Sequence, residues 1–137
     1  MTIRAMTIDD YPAVHALWNA CLSSARDVDD SREAIERFLR RNPGISVVAA
    51  EGNEIVGSIL CGHDGRRGYL YHVAVSAARR RCGVGQAMAQ ACLAALRAEG
   101  ISSCALVAFM RNTGGNAFWE ALGFQARDMY YRERRLP

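Results

Sequence analysis

Lysine is absent from this sequence, and all 17 basic residues of the 137 are arginine. The chain therefore has no residue for a lysine Schiff base, for a lysine general base or for a Walker-type phosphate loop. Proline is scarce as well, and the apolar runs are far shorter than the ~18 residues of a membrane helix. The first twelve residues are acidic rather than typical of a targeting peptide. We expect a cytoplasmic protein with no membrane partner.

The cysteines give no sign of a metal site or a disulfide framework. They are odd in number and never at CxxC spacing. Their positions are Cys21, Cys61, Cys82, Cys92 and Cys104. The net charge of +3 is too small to indicate nucleic-acid binding. The basic C-terminal cluster at Arg132, Arg134 and Arg135 also lacks the long aromatic-interleaved stripe of such a partner surface.

The length and the half-apolar composition predict one globular domain over residues 1–137. Apolar residues at helical spacing predict the helices, and β-branched apolar runs bounded by turn residues predict the strands. The predicted order is strand 2–6, a first helix with the stripe Val14, Leu17, Trp18, Cys21 and Leu22, helix 31–41, strands 45–51, 54–62 and 69–75, helix 83–99, strand 104–109, helix 116–122 and strand 125–133. This β-α-α-β-β-β-α-β-α-β order predicts an α/β domain with a mixed, mostly antiparallel sheet flanked by helices.

The segment from residue 69 to 87 carries the strongest chemical signal. A buried strand runs into an arginine- and glycine-containing loop, and the loop opens a long helix. Glycines let backbone amides approach a ligand, the helix start adds unpaired N–H donors, and arginine side chains bind phosphate oxygens in pairs. The pattern therefore predicts a pyrophosphate-binding site. A glycine-rich turn with solvated arginines is the simpler alternative.

Two familiar phosphate motifs do not fit this loop. A Walker A loop requires Gly-Lys-Ser/Thr, and Gln86 follows Gly85 here. A dinucleotide fingerprint requires a third glycine where Met88 stands, and an acid after the next strand. The nearby acid is Glu99, at the end of the predicted helix.

Two motifs resemble the GCN5-related N-acetyltransferases. The run RRCGVG at 80–85 is similar to the family signature R/Q-x-x-G-x-G/A, and residues 73–75 resemble the strand before it. Asn112 followed by FWEALGF at 118–124 resembles the family's N…FYEKLGF segment. The predicted order of strands and helices fits that fold over nearly the whole chain.

The resemblance implies that acetyl-CoA is the co-substrate. In the family the loop amides and the helix start hold the pyrophosphate, and the preceding strand pairs with the pantetheine arm and polarises the thioester carbonyl. The residues that the resemblance assigns to the cofactor are Val73, Ala74, Val75, Arg80, Arg81, Cys82, Gly83, Val84, Gly85, Gln86 and Asn112.

The chain departs from the family at its acid–base positions. The usual tyrosine proton donor is Trp119 here, and an indole cannot deliver a proton near neutral pH. The two positions where members carry a catalytic glutamate are Tyr69 and Val107. The catalytic candidates left are Tyr69, Tyr71 and His72, with ordinary packing roles as the alternative for each.

Strict strand alternation places Tyr69, Tyr71 and Val73 on one face of the strand. It places Leu70, His72 and Ala74 on the other.

The resulting hypothesis is an N-acetyltransferase that moves acetyl from acetyl-CoA to a primary amine by direct attack in a ternary complex. A non-catalytic acyl-CoA-binding module is the alternative, because the family acid and base residues are missing. The acceptor is a small-molecule or peptide amine, and a homodimer fits the resemblance. Acids around the first helical pair favour a cationic acceptor; they are Asp27, Asp29, Asp30 and Glu33.

Overall fold

The computed structural model describes residues 1–22 and 28–137, and it divides into two compact units, 1–107 and 108–137. Among the described residues, the first unit holds five strands, three α-helices and two short 3-10 helices, and the second holds one α-helix. In chain order the elements are β1 (Thr2–Ala5), α1 (Tyr11–Cys21), α2 (Arg32–Arg41), β2 (Val47–Glu51), β3 (Glu54–His63), β4 (Gly68–Val75), α3 (Val84–Ala98), β5 (Cys104–Ala105) and α4 (Thr113–Ala121).

The five strands form one sheet in the order β1-β2-β3-β4-β5. The first four pair antiparallel; α1 and α2 lie between β1 and β2, while short turns join β2 to β3 and β3 to β4. Strand β5 pairs parallel to β4 after the α3 crossover. The predicted α/β class with a mixed, mostly antiparallel sheet is confirmed. The prediction of a single domain over the whole chain stays a prediction.

One side of the sheet is covered by α1 and α2, whose apolar stripes were readable from the sequence. The buried cluster on this side consists of Met6, Val14, Leu17, Trp18, Ile35, Val48, Leu60 and Ala74. Trp18 is fully buried at its centre, and its indole Nε1 donates a hydrogen bond of 3.1 Å to Ser58 Oγ on β3. The polar end of the largest core side chain is thereby satisfied inside the sheet.

The opposite side of the sheet packs against α3. A Cβ added at Gly57 would lie 2.8 Å from Met88, and one added at Gly68 would collide with Leu96. These glycines let the helix approach the strands closely. Met88 and Leu96 are fully buried as a result. Their packing sets the distance between α3 and the sheet.

Strand β5 is shorter than the predicted strand 104–109. It covers two residues, and Val107, Phe109 and Met110 beyond it are exposed rather than buried. The Phe109 carbonyl accepts hydrogen bonds from the Asn112 backbone N–H (3.0 Å) and from Asn116 Nδ2 (3.0 Å). Because that acceptor is used by the turn before α4, it is not part of a strand ladder.

The predicted last strand, 125–133, was wrong, because residues 125–133 form neither helix nor strand. A strand buries at least one face, but Met129, Tyr130 and Tyr131 are 75, 86 and 66% exposed. Tyr131 donates to Glu133 (2.8 Å), and the Arg132 guanidinium lies over the Tyr130 ring. Local contacts replace a strand ladder, and the described part of the second unit contains no strand that could pair.

We expect Ser58→Ala to lower the free energy of unfolding by about 1–3 kcal/mol, because it removes the acceptor of a buried indole N–H. Urea unfolding followed by tryptophan fluorescence measures the change. Ser102→Ala, at an exposed serine, is the matched control and should stay within about 0.5 kcal/mol of the parent. Equal loss in the two variants would contradict the role of this hydrogen bond.

Candidate active site

Strand β4 contains one more residue than its partner at its centre. Ser58 lies opposite Ala74 and Leu60 lies opposite Tyr71, so two residues of β4 face one residue of β3. The first of the two, His72, has a φ of +50°, a left-handed conformation uncommon for a residue with a side chain. The arrangement is a β-bulge, which redirects side chains and often lies next to functional sites.

The bulge overturns the predicted alternation along this strand. Tyr71 contacts Phe38 of α2 edge-on, with ring centroids 5.8 Å apart. Ala74 belongs to the same α1/α2 cluster, although it was predicted to lie on the opposite face from Tyr71. The His72 ring also lies on this side, edge-on to Trp18 at 4.9 Å. The extra residue shifts the phase of the strand, and strict alternation cannot anticipate it.

His72 is paired with a carboxylate from a distant part of the chain. Its Nε2 lies 2.8 Å from Asp30 Oδ1 and 3.0 Å from Oδ2, and both side chains are largely buried. The backbone carbonyl of Asp30 accepts a 2.6 Å hydrogen bond from the Tyr11 hydroxyl. The sequence suggested Asp30 only as one of several acids near an acceptor site, and its partner 42 residues away gave no local signal.

Tyr69 and Tyr71, the other two catalytic candidates, stack on each other with centroids 4.6 Å apart. Burial raises the pKa of both hydroxyls. A raised pKa favours the neutral phenol, which donates a hydrogen bond but is a poor base. The pair is thus suited to lining a site and to donating, rather than to accepting a proton.

One edge of β4 is largely open in the described sheet. The strand pairs with β3 along nearly its whole length, but β5 pairs only with Gly68 and Tyr69. From residue 70 onwards no strand of the sheet adjoins that edge, which includes the candidates Val73–Val75. An unpaired edge offers alternating N–H and C=O groups to an extended ligand.

The loop after β4 adopts the backbone of an anion-binding turn. Arg81 and Gly83 have left-handed φ values of +63° and +80°, and Gly83 is the N-cap residue of α3 without a side chain to cap it. The first intrahelical bond runs from the Ala87 N–H to the Gly83 carbonyl (3.0 Å). The backbone amides of Val84–Gln86 precede that bond and therefore have no partner within the helix. Successive amides at a helix start form a concave donor set.

The three consecutive arginines of this loop differ in role. Arg79 makes hydrogen bonds and an ion pair with Glu51 at the end of β2 (2.8 and 2.7 Å). Arg80 and Arg81 are exposed, and the contact recorded for Arg80 is a long one, from Nε to the Val75 carbonyl (3.4 Å). The first arginine anchors the loop to the sheet, and the next two leave their guanidinium groups at the surface.

The remaining candidates lie outside this cluster or are already engaged. Asn112, in the second unit, is the N-cap of α4, and its Oδ1 accepts from the Gly115 N–H (3.0 Å). Trp119 packs edge-on against Phe118 and Phe124 within that unit. Val107, at a family glutamate position, is 54% exposed.

The acids proposed for an acceptor site are in different states. Asp29 is exposed, and its Oδ1 accepts from the Ser31 N–H (2.9 Å) at the start of α2. Asp30 is held by His72, and Glu33 lies in the first turn of α2. Asp27 lies outside the described residues.

No group of three potential ligands in 1–22 and 28–137 could hold a metal ion, and no helix there is long and apolar enough to cross a bilayer.

A mixed sheet with an open strand edge, next to a loop suited to pyrophosphate, characterises a class of acyltransferases. The sequence model of the acetyltransferase (GNAT) family matches residues 11–124. An acetyltransferase of Pectobacterium atrosepticum is 32% identical over 136 residues, 99% of this chain and 96% of that protein.

Two solved structures share the fold. The aminoglycoside 6'-N-acetyltransferase of Acinetobacter haemolyticus has a TM-score of 0.79 at 16% identity, covering both chains completely. An aminoglycoside acetyltransferase from an uncultured soil sample, in complex with sisomicin, has a TM-score of 0.81 at 18% identity, covering 99% of this chain and 95% of that chain. At these identities the likeness shows the fold alone.

The chain belongs to the acetyltransferase (GNAT) family, which uses acetyl-CoA as co-substrate. The expectations of that family and of an acyltransferase enzyme are confirmed. The residue roles inferred from the resemblance remain predictions.

We expect Arg81→Gly to be more stable than Arg80→Gly by about 1–2 kcal/mol. Both variants lose one exposed guanidinium and gain the same backbone freedom when unfolded, but only Arg81 has the left-handed φ that glycine adopts without strain. Urea unfolding at matched salt measures the difference. Equal stabilities would mean that the loop does not hold residue 81 in this conformation.

Proposed function

We propose that this protein transfers the acetyl group of acetyl-CoA to a primary amine by direct attack of the amine in a ternary complex. The observation that carries the proposal is the loop at 80–86, where left-handed residues and the uncapped start of α3 follow the open edge of β4. The bound co-substrate supplies an acetyl thioester, and the protein supplies the groups that hold and orient the reactants.

The donor set fits a pyrophosphate. The amides of Val84–Gln86 present N–H groups at the positive end of a helix of 15 residues, and Arg80 and Arg81 add two exposed guanidinium groups. A Cβ added at Gly83 would meet no other atom within 4 Å, so the space beside this residue is open. Cys82 lies between Arg81 and Gly83. Its side chain is exposed, and it would contribute its backbone amide.

The strand before the loop would hold the acyl-bearing arm. The backbone of Val73–Val75 lies on the open edge of β4, where an extended chain could pair as an added strand. An amide of this stretch would polarise the thioester carbonyl, and the resemblance adds Asn112 to the same arm. Because a bound amine and thioester react without a covalent intermediate, positioning supplies much of the rate.

The acceptor is proposed to be a cationic amine, of small-molecule or peptide type. The exposed carboxylate of Asp29, beside the Asp30–His72 pair, supports this class. The solved relative in complex with sisomicin binds an aminoglycoside, which is also a polyamine. A homodimer also remains part of this proposal.

The transfer is tested by incubating the protein with acetyl-CoA and one of three amines. The amines are spermidine, kanamycin and a tripeptide with a free N-terminus. We expect at least one amine to release free thiol in proportion to acetylated amine. Acetyl-CoA binding without amine-dependent thiol release would instead favour the non-catalytic acyl-CoA-binding module.

The variant Gly83→Ala tests the loop. We expect about a tenfold weaker acetyl-CoA affinity by calorimetry, the equivalent of one lost charge-assisted hydrogen bond. Gly44→Ala is the matched control, because Gly44 also has a φ of +80° and open space, but lies after α2. Both variants should lose about 1–2 kcal/mol of stability, and only Gly83→Ala should lose affinity. Equal affinities would remove the loop from the proposed site.

A further inference from the structure

We propose, on the basis of the proposed transfer reaction, that His72 is the general base that accepts the proton of the attacking amine, and that Asp30 is the residue that positions it. The inference comes from the β4 bulge and the buried pair that it creates. It supplies the base that the missing family glutamates leave unassigned.

The pairing defines which nitrogen of His72 is available. Both Asp30 oxygens lie within 3.0 Å of Nε2, and a carboxylate only accepts hydrogen bonds. Nε2 therefore carries a hydrogen in the neutral imidazole, and the lone pair lies on Nδ1. A base oriented by a carboxylate on its other nitrogen is the arrangement used in nucleophile activation.

Nδ1 of His72 has no hydrogen-bond partner in the described part of the chain and is not completely buried. Within that part no buried side-chain nitrogen or oxygen lacks a partner, so this atom reaches the surface while the ring as a whole is 15% exposed. The imidazole thus has one anchored nitrogen and one accessible nitrogen.

The pair is held from several sides. The indole of Trp18, fixed by Ser58, contacts the His72 ring at its edge. The Tyr11 hydroxyl fixes the backbone of Asp30. The positive φ of His72 turns its side chain towards α1, out of the strand's regular alternation. A left-handed residue that the surrounding contacts hold in place is the kind of strain that clusters at functional sites.

In the proposed step, the proton of the attacking amine moves to His72. The amine nitrogen forms a bond to the acetyl carbon while the carbon–sulfur bond breaks, and the electron pair of that bond leaves on sulfur. The proton released by the amine nitrogen moves to His72 Nδ1, and the Asp30 carboxylate stabilises the imidazolium. That proton then passes to the leaving thiolate or to water, which returns His72 to its neutral form.

The elements around the pair carry other titratable or charged residues. In the described part of α1, α2, β4 and the segment before α2, they are Tyr11, His15, Asp29, Arg32, Glu33, Tyr69 and Tyr71. Burial, followed by the negative charge of Asp30, raises the pKa of Tyr11, which stays a neutral donor. His15 stacks on Tyr11 at 5.2 Å and contacts the edge of Trp18. Asp30 is the carboxylate that hydrogen-bonds the imidazole.

Two variants test the base with the amine that gives the fastest thiol release from acetyl-CoA. His72→Asn and His72→Gly both fit a positive φ, so they preserve the bulge. We expect kcat to fall by about 10²–10⁴-fold, with the acetyl-CoA affinity unchanged. Added imidazole should restore part of the activity of His72→Gly, a rescue that a packing role would not show.

Asp30→Asn and Asp30→Glu test the positioning residue. Asp30→Asn removes the carboxylate that stabilises the imidazolium, so kcat should fall about tenfold or more while the acetyl-CoA affinity stays unchanged. Asp30→Glu keeps a carboxylate and should recover part of that kcat, a rescue that a packing role would not give. Glu99→Gln and His63→Asn are the matched controls, because they break a similar surface pair (2.9 Å) and should retain the parental kcat.

Nitrogen-15 NMR of the parent protein provides a readout that depends on neither folding of the variants nor activity. We expect His72 to show the Nε2–H tautomer, and the Nδ1–H tautomer would overturn the proposal. Full kcat in both His72 variants, or lost activity with neither imidazole rescue of His72→Gly nor partial recovery in Asp30→Glu, would overturn the base role alone. A parent protein that releases no thiol with any of the three amines would overturn the proposed transfer and the base role together.

Discussion

The one-residue excess of β4 over β3 is the constraint on which the rest of the site depends. It puts Tyr71, His72 and Ala74 on the side of the sheet covered by α1 and α2, where regular alternation would separate them. It also gives the strand a local kink where its far edge has no neighbouring strand in the described sheet. The orientation of the histidine and the open edge therefore arise at the same point of one strand.

Left-handed backbone at His72, Arg81 and Gly83 brackets the segment that would carry the chemistry. For the two residues with side chains this conformation costs about 1–2 kcal/mol each, so neighbouring contacts must compensate. For His72 those contacts are the carboxylate of Asp30 and the edge of Trp18. The left-handed conformation lowers the stability of the folded state at these positions. It also gives the His72 side chain and the loop backbone directions that a regular strand and loop would not have.

Much of this architecture is predictable from sequence because it rests on local periodicity. The apolar stripe from Val14 to Leu22 and the glycine-containing loop before α3 give clear local signals. The family resemblance follows from that loop, from Asn112 with the motif at 118–124, and from the order of strands and helices. The bulge leaves no such trace, because His72 fits an ordinary alternating strand as well as a bulged one. Its pairing with Asp30 spans 42 residues and is visible only in three dimensions.

The errors near the C-terminus have a different physical cause. The side chains around Tyr130 are compatible with a strand, but a strand also needs a partner ladder and a face to bury. The second unit contains neither for this segment among its described residues. Strand β5 ends at Ala105, and at the last residue of the predicted strand the Phe109 carbonyl accepts hydrogen bonds from Asn112 and Asn116 instead. Side-chain patterns do not report how a backbone acceptor is used.

The ion pair between Arg79 and Glu51 has a consequence for the energetics of recognition. It links the loop at 80–86 to the end of β2, and the loop is already attached to β4 and α3 on its two sides. A ligand that docked there, as proposed, would meet amides whose directions are set beforehand, so little conformational entropy would be lost on binding. The affinity would then reflect the quality of the contacts themselves rather than the cost of ordering the loop.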